Sequence, residues 1–319
     1  MKRITLGATG LQVSPISLGT GSYGLPPTED KAAFEQMDRY LAMGGNFIDT
    51  AHIYNDWEPG ERCRSEKLIG RYLKARGNRD SIVLSTKGSH PPIDNMDAAR
   101  LDHESILTDL QGSLDNLQVD KIDLYFLHRD DVSVPVGELI DLLEEQRARG
   151  LIDHYGFSNW QLERAQQALD YAKRKGVAGF QVNQIQWSLA RLNVQNVADK
   201  TLEALTPEYY DFHVRSGMAL MAYTSQAKGY FSKRYHQDTR ASALNDLYQN
   251  PENEAILALV RDYCDANQCD PGELAIRWFW DRPFAAVPIV AFSSLAQLEA
   301  VVSALQAQRP PLPEGLPEC

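Results

Sequence analysis

Four residues of ionisable type stand at the ends of apolar runs: Asp49 and Tyr54 in GGNFIDTAHIY, Lys87 closing IVLSTK, and His128 closing IDLYFLH. A lysine at a strand end needs an anionic partner, because an unpaired ammonium in a partly dry cleft is costly. Asp49, at the end of the adjacent strand, is the natural one. Taken alone, the pair reads equally as a strand-end salt bridge. Tyr54 adds chemistry, because an ammonium about 4 Å from a phenol stabilises the phenolate by roughly 4 kcal/mol at an effective dielectric near 20, or about three pK units. The expectation is a tyrosine made acidic by Lys87, with His128 donating a hydrogen bond to a substrate oxygen.

The same pattern of apolar run and polar ending continues in HYGFSN, FQVNQ, MALMAY and AAVPIVAFS. Between these runs lie segments with apolar residues at helical spacing, such as Ile106, Leu110, Leu114 and Leu117. Strand therefore alternates with helix. Runs with little in/out alternation suit parallel strands covered on both faces, and such folds place chemistry at the strands' C-terminal ends. The expected fold is one large α/β barrel of the TIM type, a single domain over residues 1–319. Its length and 43% apolar content fit one large barrel.

The stretch Gly19-Thr20-Gly21-Ser22-Tyr23-Gly24 fits GxGxxG, with Asp49 placed like a ribose-binding acid. A dinucleotide fingerprint needs a helix to open from the glycine turn. Here Leu25-Pro26-Pro27 intervene, and the helix is expected to start at Thr28. A loop at a barrel mouth is the better reading.

The net charge of −11 argues against a nucleic-acid or anionic-membrane partner, each of which needs a basic face. Four cysteines (Cys63, Cys264, Cys269, Cys319) sit at no spacing of a disulfide framework or zinc site, and the seven histidines form no HExxH, so no metal is expected. The start MKRITLGATG has no apolar signal core, and no run approaches the roughly 18 apolar residues of a membrane span. A soluble protein in a reduced, cytoplasmic setting is expected.

The contexts FIDTAHIY, LSTK, DLYFLH and GFSN, taken in order, resemble the aldo-keto reductases. So do the opening TLGATGLQVSPISLGTGSYG, SEKLIG, VNQIQW and AYTSQAKGYF, so the likeness spans nearly the whole chain. The resemblance implies an (α/β)8 barrel with an N-terminal hairpin. It also implies NADPH as the usual cofactor, reversible carbonyl reduction and a catalytic tetrad on Asp49, Tyr54, Lys87 and His128. By position it assigns cofactor contacts to Gly19, Thr20 and Asp49. It sets Ser158, Asn159 and Gln184 on the nicotinamide carboxamide, the Tyr223 ring against the nicotinamide, and Thr224, Ser225, Gln226, Ala227, Lys228 and Gly229 around the pyrophosphate.

The last loop departs from the family pattern. Ser293, Ser294 and Gln297 stand where many members carry a cation for the 2′-phosphate, and Ala300 and Val301 replace residues that hold the adenine. Uncharged groups grip a phosphate less firmly than Lys or Arg, so NADPH is expected with NADH tolerated. Long loops follow three strands, at 54–64, 187–216 and 225–253. They set the small-molecule carbonyl substrate, with Trp57, Trp187 and Tyr230 as candidates for an aromatic wall. Arg62, Arg64, Arg129 and Asp130 could meet a polar or sugar-like substrate but read better as a solvated rim, and His52 is a residue of uncertain direction beside the tetrad. Two other classes fit the same residues: a barrel using Lys87 as a Schiff-base nucleophile, and a regulatory barrel that binds cofactor with little turnover.

Overall fold

Each run of apolar residues that ends on a polar one forms a strand, and the strands close on themselves. The computed structural model describes residues 1–319. An antiparallel hairpin of β1 (Ile4–Thr5) and β2 (Gln12–Val13) leads into β3 (Ser17–Gly19), β4 (Phe47–Asp49), β5 (Val83–Gly88) and β6 (Ile122–Leu127). Then follow β7 (Ile152–Ser158), β8 (Val182–Gln186), β9 (Ala219–Tyr223) and β10 (Ala286–Val290). Strands β3 to β10 pair in chain order, all parallel, and β10 returns to β3 to complete a closed eight-stranded (β/α)8 barrel. All four cysteines are free, and no helix is long and apolar enough to cross a membrane.

A parallel pair needs a crossover, and helices supply it. They are α1 (Asp30–Ala42), α2 (Arg64–Arg76), α3 (His103–Leu117), α4 (Val136–Ala148), α5 (Leu162–Lys175) and α6 (Pro207–Ser216). The chain continues through α7 (Tyr230–Tyr235), α8 (Asn245–Tyr248), α9 (Pro251–Asn267), α10 (Pro271–Arg277) and α11 (Leu295–Gln306). Helix α1 begins two residues later than expected, because the Thr28 hydroxyl donates to the Ser22 and Leu25 carbonyls and is spent closing the preceding loop. Gly24 sits in that loop at φ +89, where a Cβ would come 2.9 Å from that of Arg64. No helix N-terminus opens from the glycine turn, so the fingerprint is a loop.

Alternation along the strands sorts side chains into an outer and an inner set. Leu18, Ile48, Leu84, Tyr125, Leu127, Ile185 and Leu220 pack outward under the helices in the larger core. Phe47, Leu124, Phe126, Val182, Ala219, Met221 and Val287 fill the barrel interior, and Leu6, just after β1, and Val13 of β2 plug its floor. Burying each large side chain is worth about 1.5–3 kcal/mol. Gly19 is the inward residue of β3, and a Cβ there would meet the Ile289 side chain at 2.8 Å. Above the apolar layer the same inward positions turn polar, with Asp49 two residues after Phe47, His128 after Phe126, and Gln184 after Val182.

Candidate active site

Asp49 and Lys87 are each 1% exposed and meet at the top of the interior, where β4 and β5 run side by side. The Lys87 ammonium donates to Asp49 Oδ2 (2.8 Å), to the Thr50 carbonyl (2.6 Å) and to the Tyr54 hydroxyl (3.2 Å). Asp49 Oδ1 accepts from the Ser85 hydroxyl (2.7 Å) and the Gln184 amide (3.0 Å). Removing two charges from water is costly, but here the ammonium protons and both carboxylate oxygens have partners, as a buried pair requires. Burial works against the Lys87 charge, yet Asp49 and Tyr54 outweigh it and hold the lysine pKa above its ordinary value.

Tyr54 does not become the acidified phenol expected from spacing. Burial raises its pKa above the ordinary tyrosine value, and the lowering by Lys87 is opposed by the nearby Asp49 carboxylate. Ammonium and carboxylate form a nearly neutral unit, so the phenol keeps its proton.

His128 follows β6, its N–H bonded to the Gly88 carbonyl at 2.9 Å. Its ring lies 6.2 Å from that of Tyr54. Burial, then the Arg129 charge, holds its pKa well below the usual histidine value, so the imidazole is neutral, and its buried Nδ1 has no protein partner. His90, absent from the sequence reading, packs against it with ring centroids 4.8 Å apart. Burial and Arg129 push the His90 pKa down to about 4.

Asn159, at φ +61, donates to Ser158 Oγ (2.9 Å) and the His128 carbonyl (3.3 Å), and its Oδ1 accepts from the Tyr223 hydroxyl (2.6 Å). Together with Gln184, these residues adjoin the Asp49 network. After β9, Thr224, Ala227, Lys228 and Gly229 are all left-handed, at φ 52, 48, 54 and 77. Such non-glycine conformations cost about 1–3 kcal/mol each and cluster at functional loops. The backbone N–H groups of Ser225 and Gln226 find no acceptor in the protein, while the Ser225 hydroxyl ties the loop to the Ile289 carbonyl at 2.7 Å. Gln226 reaches the Gly272 carbonyl at 3.4 Å, and Lys228 is exposed. A strained loop with open amides and a lysine fits a phosphate. Thr20 is spent on structure, donating to the Asp49 carbonyl (2.9 Å) and meeting Ser65 (2.8 Å). Ser293 donates through both N–H and hydroxyl to Gln297 Oε1, at 2.8 and 2.9 Å.

The aromatic wall is not formed as expected. Trp57, 48% exposed, does stand at the mouth with its ring 6.3 Å from that of Tyr54. Trp187 does not, because with Gln184 pointing inward the alternation turns residue 187 outward, into a cluster with Tyr210, Trp278, Phe279 and Phe284. Tyr230 is fully buried between Phe231 and Tyr248. The charged rim is also more structured than expected. Arg129 is buried on Asp199 and Thr201, and Asp130 is paired with Arg164, whereas Arg62 is exposed. Arg64 donates to the Pro59 carbonyl. His52 faces α2 and α3, away from the interior.

A family model described as Aldo/keto reductase family matches residues 15–311. This chain belongs to that family. It is 30% identical over 317 residues to the uncharacterized oxidoreductase YrpG of Bacillus subtilis, covering 96% of this chain and 91% of that one. An aryl-alcohol dehydrogenase of Phanerodontia chrysosporium, whose name specifies NADP(+), is 29% identical over 202 residues, or 58% of this chain and 51% of the relative. Among solved structures, the holo form of the aldo-keto reductase AKR11C1 from Bacillus halodurans superimposes with a TM-score of 0.71 at 26% identity, covering 97% and 92% of the two chains. The chain is accordingly an oxidoreductase, of a family that uses nicotinamide cofactors on small carbonyl compounds.

Proposed function

We propose that this reductase converts aldehydes or ketones to alcohols with Tyr54 as proton donor, and that it prefers NADPH while accepting NADH. The observation that carries this reading is the single Lys87 ammonium bonded at once to Asp49 and to the Tyr54 hydroxyl. A reduced nicotinamide, when bound, supplies the hydride. The remaining work belongs to the chain. His128, neutral, donates a hydrogen bond to the carbonyl oxygen and orients it toward Tyr54. As that oxygen becomes alkoxide-like, with a conjugate acid about as weak as water, it takes the proton from a phenol that is still the far stronger acid. A raised tyrosine pKa is therefore compatible with the role, because it keeps the proton in place until the alkoxide forms. Lys87 then sits 3.2 Å from the new phenolate, and Asp49 keeps that lysine charged.

Ser158, Asn159 and Gln184 are the residues assigned to hold the carboxamide, Tyr223 to stack on the ring, and Thr224 to Gly229 to wrap the pyrophosphate. Support for the last comes from the open Ser225 and Gln226 amides. Because Ser293 and Gln297 satisfy each other and bring no charge, the 2′-phosphate gains little there. A Schiff-base role for Lys87 is disfavoured: its ammonium donates to three partners and its pKa is raised, whereas a nucleophilic amine needs it lowered.

The test is a panel of aldehydes and ketones followed by loss of reduced-nicotinamide absorbance. Turnover is expected with both cofactors, with kcat/KM favouring NADPH by less than about 1000-fold, the worth of one or two charge-assisted bonds. A larger preference contradicts the reading of Ser293 and Gln297. Cofactor binding with no turnover across the panel supports a regulatory barrel instead.

A further inference from the structure

The turn that brings Tyr54 to the barrel mouth carries a second cluster on its outer side. His52 Nδ1 lies 3.0 Å from Glu66 Oε2, and His52 Nε2 lies 3.5 Å from Cys63 Sγ. Glu66 is fully buried and fixed from both sides, by the Thr86 hydroxyl at 2.6 Å and the Asn116 amide at 3.0 Å. Gly112 of α3 leaves room for the imidazole: a Cβ there would come 2.8 Å from the His52 ring. Cys63 occupies the N-cap of the thirteen-residue α2, at φ 55, with its N–H on Asp56 Oδ1 at 2.7 Å.

These three side chains form a line of carboxylate, imidazole and thiol. The two nitrogens of one imidazole face opposite partners, so His52 bridges Glu66 and Cys63 and does not turn both toward one metal ion. This is the order of orienter, base and nucleophile that activates a sulfur. We propose that Cys63 is a reactive thiol, activated by His52, Glu66 and the N-terminus of α2, that small electrophiles and hydroperoxides modify selectively.

Charge around the sulfur supports this. Burial opposes the His52 cation, but Cys63 and Glu66 outweigh it and push the pKa up to about 11. The turn itself adds Asp56 and α2 adds Glu66, both acidic, while α3 offers only the neutral Ser113 and Asn116 and β5 only Thr86. Cys63, as the N-cap, also stands at the positive end of α2. By contrast, burial raises the pKa of Cys264, Cys269 and Cys319. Cys63 is 9% exposed, which admits small reagents only. With a hydroperoxide, the thiolate attacks the distal oxygen, an S–O bond forms and the O–O bond breaks. The departing alkoxide takes the proton of His52 and leaves as an alcohol. Sulfur is oxidised to a sulfenic acid and the peroxide is reduced.

The experiment is alkylation of the full chain by iodoacetamide between pH 5.5 and 9, with each cysteine followed by peptide mapping. It requires no reductase assay. Cys63 is expected to react at least about tenfold faster at pH 7 than the other three. His52→Gln and Glu66→Gln are each expected to slow Cys63 by about tenfold or more, and hydrogen peroxide followed by dimedone to label Cys63 first. Labelling of Cys63 no faster than that of Cys264, or unchanged in whichever of the two variants folds, overturns the proposal.

Discussion

Two successive layers of side chains inside the barrel, carried by the same strands, do opposite things. In the lower layer Phe47, Leu124, Phe126, Val182, Met221 and Val287 are fully buried and wholly apolar. Two residues further along, Asp49, His128, Gln184 and Tyr223 are polar, and Lys87 joins them from β5. The strand geometry does not distinguish the layers; only side-chain chemistry does. The floor removes water from beneath the Lys87–Asp49 pair, and electrostatic interactions strengthen where water is excluded. Stability is thus concentrated below and chemistry above.

That division can be broken from either side. Leu124→Ala, in the floor, is expected to lower stability by about 2–5 kcal/mol through lost burial and a cavity. Urea unfolding measures the loss, and kcat/KM per folded molecule is expected to change less than about threefold. In the upper layer, Gln184→Leu removes a donor from the Asp49 carboxylate, worth about 1.5–3 kcal/mol. A drop of about ten- to a hundredfold in kcat/KM for cofactor is expected, with a smaller stability change than for Leu124→Ala. If Leu124→Ala abolished turnover in folded protein while Gln184→Leu spared it, the layers would not be separable.

Titration sharpens the contrast more gently. His90 in the upper layer is held neutral, with its pKa pushed down to about 4 by burial and Arg129. The unfolded chain binds that proton near pH 6.5 and the folded chain does not, so stability is lost as pH falls from about 6.5 toward about 4, by at most about 1.4 kcal/mol per unit. Unfolding free energies at pH 7 and pH 5 are expected to differ less in His90→Asn than in the wild type. An identical difference contradicts this placement of His90.

Much of this was legible in the chain. Apolar runs with little in/out alternation and polar strand ends announced the parallel barrel, and FID, LSTK and DLYFLH placed three of the four candidate catalytic groups on adjacent strands. What escaped were properties that depend on direction and surroundings. Trp187 was misplaced although the rule was available: an inward Gln184 makes residue 187 outward. Tyr230 lies on helix α7, where burial depends on which face the neighbouring α8 covers, and spacing does not report that. The acidity of Tyr54 was misjudged because a pairwise estimate with Lys87 omits burial and the counter-charge of Asp49. His90 was invisible because its position follows from the left-handed turn at Ser89.

The most direct test of the account is Tyr54→Phe, assayed for turnover, cofactor affinity and unfolding midpoint in the same preparation. The expected result is a fall in kcat of about 10²–10⁴-fold, the usual worth of a positioned proton donor, with cofactor affinity and midpoint unchanged. Turnover at the wild-type rate in the folded variant would contradict the assignment of Tyr54 as the acid.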